Sequence, residues 1–302
     1  MAGRRRSAAL LWVALLLAAC RTSGSTAQQP ATASPPTTSA TTTQPAPATT
    51  STTLPAGILQ RPITVPGPAV LLRYDEGMAP EGLSIVEATI PVAYEALGEA
   101  GPLVVHVYAS ADNFVASHDP RLQDRARADV EGGLVATGGA GAIRIYGPRF
   151  LDRDTADRRL AVIHEYFHAV QARLSGGRST TAPLWLREGT ARYVERGVAR
   201  DRGYIDYGRR RSTDVRSSRG LEALVAYEEP GGATFRGDSG GAYIVGFLAS
   251  EYLESLKGRD AVQREFWAGL RSGTDWKIAF AAVFDVSVER FYADFEAYRQ
   301  TL

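Results

Sequence analysis

The sequence predicts an α+β fold in which a small mixed β-sheet packs on one central helix and a helical region follows. Two observations predict this fold. Short β-rich runs alternate with helical segments from about Ile58, whereas from Thr155 onward the apolar spacing is almost wholly helical. The 302 residues, of which 44% are hydrophobic, suffice to bury such a core. We expect residues 58–302 to form one domain of two subdomains with a cleft between them.

The N-terminus has the pattern of an export signal. Arg4, Arg5 and Arg6 precede an uncharged segment, 8–19, that is too short to span a bilayer. The segment ends in Leu-Ala-Ala-Cys20, which resembles the bacterial lipobox, although a plain signal peptide containing a cysteine is the alternative. We therefore expect residues 1–20 to be a lipoprotein signal peptide and a lipidated Cys20 to anchor the domain on the extracytoplasmic side of the cell membrane.

Residues 21–57 are nearly all Thr, Ser, Ala, Pro and Gln, a composition that cannot bury a core and that predicts a disordered stalk. The formal net charge of the chain is +1. Nucleic-acid binding is therefore disfavoured, because it usually requires a basic surplus.

The first half of the folded part contains three β-rich runs, 69–73, Leu103–Tyr108 and Ala142–Tyr146. Segment 81–97 has helical spacing, but we expect Pro91 to kink or divide that helix.

A segment from an acidic N-cap candidate, Asp154, to a glycine stop at Gly176 has the periodicity of one helix. His164 and His168 lie four residues apart on it, so both rings project from one face, about 6 Å apart, and can bind one tetrahedral ion. Glu165 is adjacent to the first histidine, where a carboxylate can take a proton from an activated water. This H-E-x-x-H pattern indicates a zinc ion with Glu165 as catalytic base.

Such a site needs a third protein ligand, and Glu188 is the candidate. It lies twenty residues after His168 on a second predicted helix, beyond a Gly/Ser/Thr-rich turn, and Gly189 beside it would permit a close helix approach. On its own, Glu188 could equally be a solvated surface carboxylate. The remaining histidines, His106 and His118, lack ligand spacing and are expected to be structural or exposed.

These motifs resemble those of the gluzincin metallopeptidases, in which a ligand glutamate follows H-E-x-x-H on the next helix. The strings here are HEYFH and WLREGTARYVE, and the second is similar to the W-L-x-E-G-x-A segment of zinc aminopeptidases and of small peptidase MA-like lipoproteins. The resemblance implies His164, His168 and Glu188 as ligands of one Zn²⁺ per chain. It further implies that Tyr243, in a Y-x-x-G-F-x segment, supports the oxyanion; a core aromatic residue is the alternative.

Two departures from that resemblance matter. The aminopeptidase branch carries a strand glutamate that holds the substrate's free amine, whereas the segment here, 138–143, has no carboxylate, although strand Ala142–Tyr146 could pair with an extended peptide. Thermolysin-like enzymes carry an aspartate four residues after the ligand glutamate, where this chain has Arg192. The residue that orients a histidine ligand must then differ, and Asp154, Glu195 and backbone carbonyls are the candidates.

A basic run, Arg209 to Arg211 with Arg216 and Arg219 beyond, is expected to be a solvated loop, with a substrate-facing role as the alternative. The expected function is zinc-dependent hydrolysis of peptide bonds in peptides or proteins of the cell envelope. A noncatalytic surface binding module that keeps zinc for folding, or a zinc hydrolase of non-peptide bonds, are the alternatives.

Overall fold

The computed structural model describes residues 54–228 and 239–302. The proposed signal peptide, Cys20 and nearly all of the proposed stalk lie outside the described residues. None of the described helices is both long and apolar enough to cross a membrane.

A small mixed sheet forms the first half, as the sequence predicts, and it has five strands, two more than the three predicted runs. The strands are β1 (Ile58–Ile63), β2 (Val70–Asp75), β3 (Leu103–Tyr108), β4 (Ala136–Gly139) and β5 (Ala142–Tyr146). Their spatial order is β1-β2-β3-β5-β4; β2, β3 and β5 are parallel, while β1 and β4 pair antiparallel with their neighbours. Four helices accompany the sheet: α1 (Pro80–Leu97), α2 (Ala111–Ala116), α3 (Gln123–Glu131) and α4 (Gly147–Leu151).

Strand β5 is not available to an added peptide strand, contrary to the sequence-based expectation. It pairs with β3 on one side and with β4 on the other, so its backbone hydrogen bonds are already made. The edge strand beyond β5 is β4, and β1 forms the opposite edge. The sequence pattern missed β4 because its residues, Ala-Thr-Gly-Gly, lack the β-branched and aromatic alternation of a typical strand. An extended peptide that adds to the sheet at the β5 side would therefore have to pair with β4.

Only helices follow among the described residues after Thr155. They are α5 (Thr155–Leu174), α6 (Leu184–Asp201), α7 (Tyr207–Ser218), α8 (Ser239–Lys257), α9 (Phe266–Gly269), α10 (Trp276–Phe284) and α11 (Val288–Arg299). The basic run lies on α7 and is not the loop that its charge suggested. Its arginines form ion pairs there, Arg210 with Asp157 and Arg211 with Glu251.

Both halves share one hydrophobic core, with α5 between them. Alternate residues of β3 and β5, such as Val105 and Ile143, are buried in the same cluster as Ile163 of α5 and Trp185 of α6. Trp185 also stacks on Phe291 of α11, which ties the start of α6 to the C-terminal helices. Helix α1 continues through Pro91 without a break, so the proline does not divide it.

Candidate active site

Two neighbouring helices, α5 and α6, carry the proposed metal ligands. Helix α5 begins where the sequence predicts, because the Asp154 side chain accepts a hydrogen bond from the backbone N–H of Asp157. Asp154 is thus occupied as an N-cap and does not orient a histidine.

Helix α6 packs closely on α8 because Gly189 lies against the backbone of Gly246; a Cβ at Gly189 would be 2.3 Å from the Gly246 carbonyl carbon.

Three donor atoms converge between α5 and α6. Nε2 of His164 and Nε2 of His168 are 3.1 Å apart, and Oε2 of Glu188 lies 3.2 Å from the first and 3.1 Å from the second. Tetrahedral zinc with bonds of about 2.0–2.1 Å requires ligand atoms about 3.3–3.4 Å apart. The three buried side chains, the one such cluster among the described residues, therefore fit a zinc ion.

Each histidine is oriented through its other ring nitrogen. Nδ1 of His164 donates to Oε2 of Glu195 at 2.8 Å, and Nδ1 of His168 donates to Oε1 of Gln171 at 2.7 Å. The Gln171 amide is itself fixed, since its Nε2 donates to the Thr190 hydroxyl at 2.9 Å. Donation from Nδ1 leaves Nε2 of both rings as the lone-pair nitrogen that a metal needs.

The charge of these groups follows from burial and from their neighbours. Burial disfavours a charged His164, but its hydrogen bonds with Glu188 and Glu195 outweigh this and raise its pKa to about 10, so binding of a metal would have to displace the proton from Nε2. Burial likewise opposes charge on Glu188, yet the two histidines hold the pKa of that carboxyl well below its usual range. Glu188 is therefore anionic, as a ligand must be; Arg187 adds a hydrogen bond of 3.0 Å to its Oε1.

Glu165 lies at the interface between α5 and edge strand β4. A Cβ on Gly138 of β4 would be 2.4 Å from the Glu165 backbone oxygen and 2.9 Å from its Oε2, so only glycine permits this approach. Burial raises the pKa of Glu165, and the histidines His164 and His168 partly offset the shift. A carboxylate with a raised pKa is a better proton acceptor than an exposed glutamate.

Tyr243 of α8 lies against His164 and lines both cavities described below. Its ring stacks on His164 with centroids 5.7 Å apart. Burial and the negative charges of Glu188 and Glu165 raise its pKa well above the usual value, so the phenol keeps its proton and can donate a hydrogen bond.

Two cavities meet at these side chains, and both are lined by Glu165 and Tyr243. The larger, of about 640 Å³, we name the arginine cavity because five arginines line it: Arg125, Arg153, Arg192, Arg196 and Arg210. The second cavity, of about 400 Å³, is lined by the end of β4, including Gly138 and Gly139. A substrate chain lying along β4 could thus extend to both sides of the proposed metal site.

Neither a protein-family model nor a curated protein matches the sequence. Among solved structures, the M1 zinc metallopeptidase from Deinococcus radiodurans is 16% identical, with a TM-score of 0.50 over 79% of this chain and 51% of that one. A mutant of the same enzyme gives 15% identity and the same TM-score over 79% and 52%. The chain has an M1 zinc metallopeptidase fold. It spans about half the length of the solved structures that it matches, and the likeness concerns the fold alone.

In this M1-type fold the sequence-derived residues His164, Glu165, His168, Glu188 and Tyr243 all lie in one place. Two residues that orient the histidines, Gln171 and Glu195, were not identified from the sequence alone. Gln171 was missed although its position, three residues after His168, puts it on the same helical face. Glu195 was one of several candidate orienters, and the packing of α6 on α5 is what selects it.

The remaining histidines lie outside the cluster of His164, His168 and Glu188. His106 of β3 stacks on Tyr108 and lies 3.3 Å from Oδ1 of Asp75. His118 hydrogen-bonds through Nδ1 to the backbone oxygen of Phe114 and lines the second cavity. His106 therefore has the structural surroundings that the sequence led us to expect. His118 is also hydrogen-bonded within the fold, but in addition it lines the second cavity.

Proposed function

We propose that this protein is a lipid-anchored, extracytoplasmic zinc metallopeptidase that hydrolyses peptides or proteins of the cell envelope. The observation that carries the proposal is the convergence of His164, His168 and Glu188 beside a second carboxylate, Glu165, at the edge of two cavities. A site that only stabilises a fold needs four protein ligands and no neighbouring base. Here three donor atoms converge, and the fourth direction is left to a substrate.

The proposed chemistry distributes the steps among this chain's own residues. Bound zinc supplies Lewis-acid activation of the scissile carbonyl and of a water molecule. Glu165 takes a proton from the attacking water and delivers it to the leaving amine. Tyr243 donates a hydrogen bond to the carbonyl oxygen as that oxygen gains negative charge. Strand β4 holds the peptide extended, with its backbone paired to the free edge of the sheet.

Metal analysis combined with a cleavage assay tests this function. Full-length protein and the Glu165→Gln variant are analysed for zinc and incubated with a mixed peptide library. We expect one zinc per chain in both proteins and cleavage in the wild type alone, because Glu165 is the base and not a ligand. Zinc without cleavage by either protein would favour a binding module or another hydrolase, and absence of zinc would refute the proposed site.

Anchoring is a separate part of the proposal and rests on the sequence pattern around Cys20. A Cys20→Ser variant removes the acylated side chain while leaving the proposed export signal unchanged. We expect the wild type to incorporate a labelled fatty acid and to partition into the membrane fraction, and the variant to incorporate no label. An unlabelled wild type, or equal labelling of both proteins, would refute lipid anchoring through Cys20.

A further inference from the structure

Two arginines on the wall of the arginine cavity share a single carboxylate. Arg192 and Arg196 lie one turn apart on α6, and both bind Asp214 of α7, Arg192 through Nη2 at 3.1 Å. The Arg196 side chain is only 5% exposed, and Arg192 is 24% exposed. The Nε atoms of both are buried and have no acceptor within residues 54–228 and 239–302. One carboxylate thus serves two guanidinium groups, which leaves a positive charge and several donors unsatisfied.

The other charged residues that line this cavity do not neutralise the surplus positive charge of Arg192 and Arg196. Asp157 binds Arg210 at 2.7 Å, and Asp129 lies 3.8 Å from Arg125, so these two pairs are neutral. Arg153 also lines the cavity and forms no ion pair in the described part of the chain. The remaining acids of the cavity, Glu165 and Glu195, lie against the histidine cluster. The wall away from the proposed metal is therefore positive.

Arg192 is within reach of a substrate held at the proposed metal site. It follows Glu188 by four residues, a rise of about 6 Å along α6. An extended peptide advances about 3.3 Å per residue, so Arg192 can meet a group one or two residues from the scissile bond. Thermolysin-like enzymes carry a histidine-orienting aspartate at the position of Arg192, so we expected another orienter here; Glu195 performs that role and leaves Arg192 lining the cavity.

The direction of β4 decides whether the substrate residues before or after the scissile bond lie in the arginine cavity. Val135, just before β4, lines the arginine cavity alone, Ala136 lines both cavities, and Gly138 and Gly139, at the end of β4, line the second cavity alone. A peptide paired antiparallel to β4, the more stable arrangement, runs in the opposite direction. Its residues after the scissile bond then enter the arginine cavity.

We infer that the arginine cavity binds a substrate carboxylate located after the scissile bond, with Arg192 as its principal donor. The inference rests on the proposed peptidase function and narrows its substrate class to peptides with an acidic side chain, or their own C-terminal carboxylate, close to the cleaved bond. Such a group supplies the missing negative charge, and Arg binds carboxylates through charge-assisted, often bidentate, hydrogen bonds.

Matched peptides test the inference and separate the two sources of carboxylate. Starting from a peptide that the library experiment finds to be cleaved, one arm exchanges Glu for Gln at the first or second residue after the scissile bond. The other arm exchanges a C-terminal carboxylate for its amide. We expect kcat/KM for the acid to exceed that for the amide by about tenfold in one arm. Equal values in every arm, with cleavage intact, would overturn the inference and leave the peptidase proposal standing.

Variants of α6 then assign the preference to a residue. Arg192→Met should reduce the ratio of kcat/KM for the acid peptide to kcat/KM for the amide peptide to about two or less. Arg192→Lys should retain part of the preference for the acid. Arg200→Met, an exposed arginine on the same helix that does not line this cavity, is the matched control and should keep the ratio. The ratio compares two peptides on one preparation, so a loss of folded protein does not alter it. An unchanged ratio in Arg192→Met would refute the assignment.

Binding provides a readout that does not depend on cleavage. Fluorescence anisotropy of the same labelled peptide pairs on the Glu165→Gln variant should show tighter binding of the acid in the arm that prefers it. If wild-type protein cleaves no peptide, the proposed function fails, and this measurement still decides whether the cavity selects a carboxylate. Equal affinities for acid and amide would refute the carboxylate site.

Discussion

Nδ1 of His164 on α5 lies 2.8 Å from Oε2 of Glu195 on α6, so a carboxylate from one helix orients a proposed metal ligand on the other. Glu195 is buried, and it lies seven residues, about two turns, after the proposed ligand Glu188 on the same helix. A single helix thus supplies both a proposed metal ligand, Glu188, and the group that positions another proposed ligand.

Glu195→Gln should weaken zinc binding by about 10- to 100-fold, because the amide lacks the charge that favours donation from Nδ1 of His164. Competition with a chromogenic zinc chelator measures the affinity. Glu265→Gln, an exposed change outside the site, serves as the control. Equal zinc affinities in all three proteins would show that Glu195 does not position the ligand.

Tyr243→Phe should lower kcat by about 10²- to 10³-fold while KM and zinc content stay close to those of the wild type, because the proposed role of the hydroxyl is to stabilise the developing oxyanion. Steady-state kinetics on a cleaved peptide, with Tyr204→Phe as the control, makes the comparison. A raised KM with an unchanged kcat would instead mean that Tyr243 only binds the ground state.

Gly138→Ala should impair cleavage, because its Cβ would be 2.4 Å from the Glu165 backbone oxygen and must push β4 away from α5. Displacing a catalytic group by about 1 Å can cost about 100-fold in rate. Gly139→Ala is the matched change on the same strand, since a Cβ there meets no atom within 4 Å. We expect kcat/KM to fall at least about tenfold further in Gly138→Ala than in Gly139→Ala; similar losses would contradict the close contact.

Gly189→Ala and Gly197→Ala should change stability in opposite directions although both lie on α6. A Cβ at Gly189 would overlap the backbone of Gly246, whereas one at Gly197 meets nothing within 4 Å. Overpacking costs about 1–3 kcal/mol, while alanine at an open helical glycine gains about 0.5–1 kcal/mol. Urea unfolding measures the free energy of unfolding of both variants. If both are destabilised equally, the close contact between α6 and α8 at Gly189 is not the cause of the destabilisation.

The free energy of unfolding should fall on acidification below about pH 6.5, partly through His106. Burial lowers the pKa of His106, and the hydrogen bond with Asp75 only partly opposes this shift. The folded state therefore binds a proton less readily than the unfolded chain, so the stabilisation is complete above the unfolded pKa and is lost as the pH falls through it. His106→Gln should lose less stability than the wild type between pH 7.5 and 5.5. A pKa of His106 above 6.5 by NMR titration would contradict this prediction.

The sequence predicted the parts of the site that depend on spacing within one helix. His164 and His168 share a face because four residues make about one turn, whatever the rest of the chain does. The strands at Leu103–Tyr108 and Ala142–Tyr146 were equally predictable, since their apolar and β-branched residues are bounded by glycine and proline. By contrast, Ala136–Gly139 has no such pattern and becomes a strand only because β5 offers it a partner.

The sequence by itself determined that one helix carries two histidines and a glutamate in the pattern of a zinc site, and it nominated Glu188 and Tyr243 by resemblance. Tertiary structure alone decided that Glu195 orients His164, that β4 is the free edge beside Glu165, and that Arg192 and Arg196 share Asp214. The physical reason is that helical periodicity fixes neighbours within an element, whereas contacts between elements depend on how those elements pack.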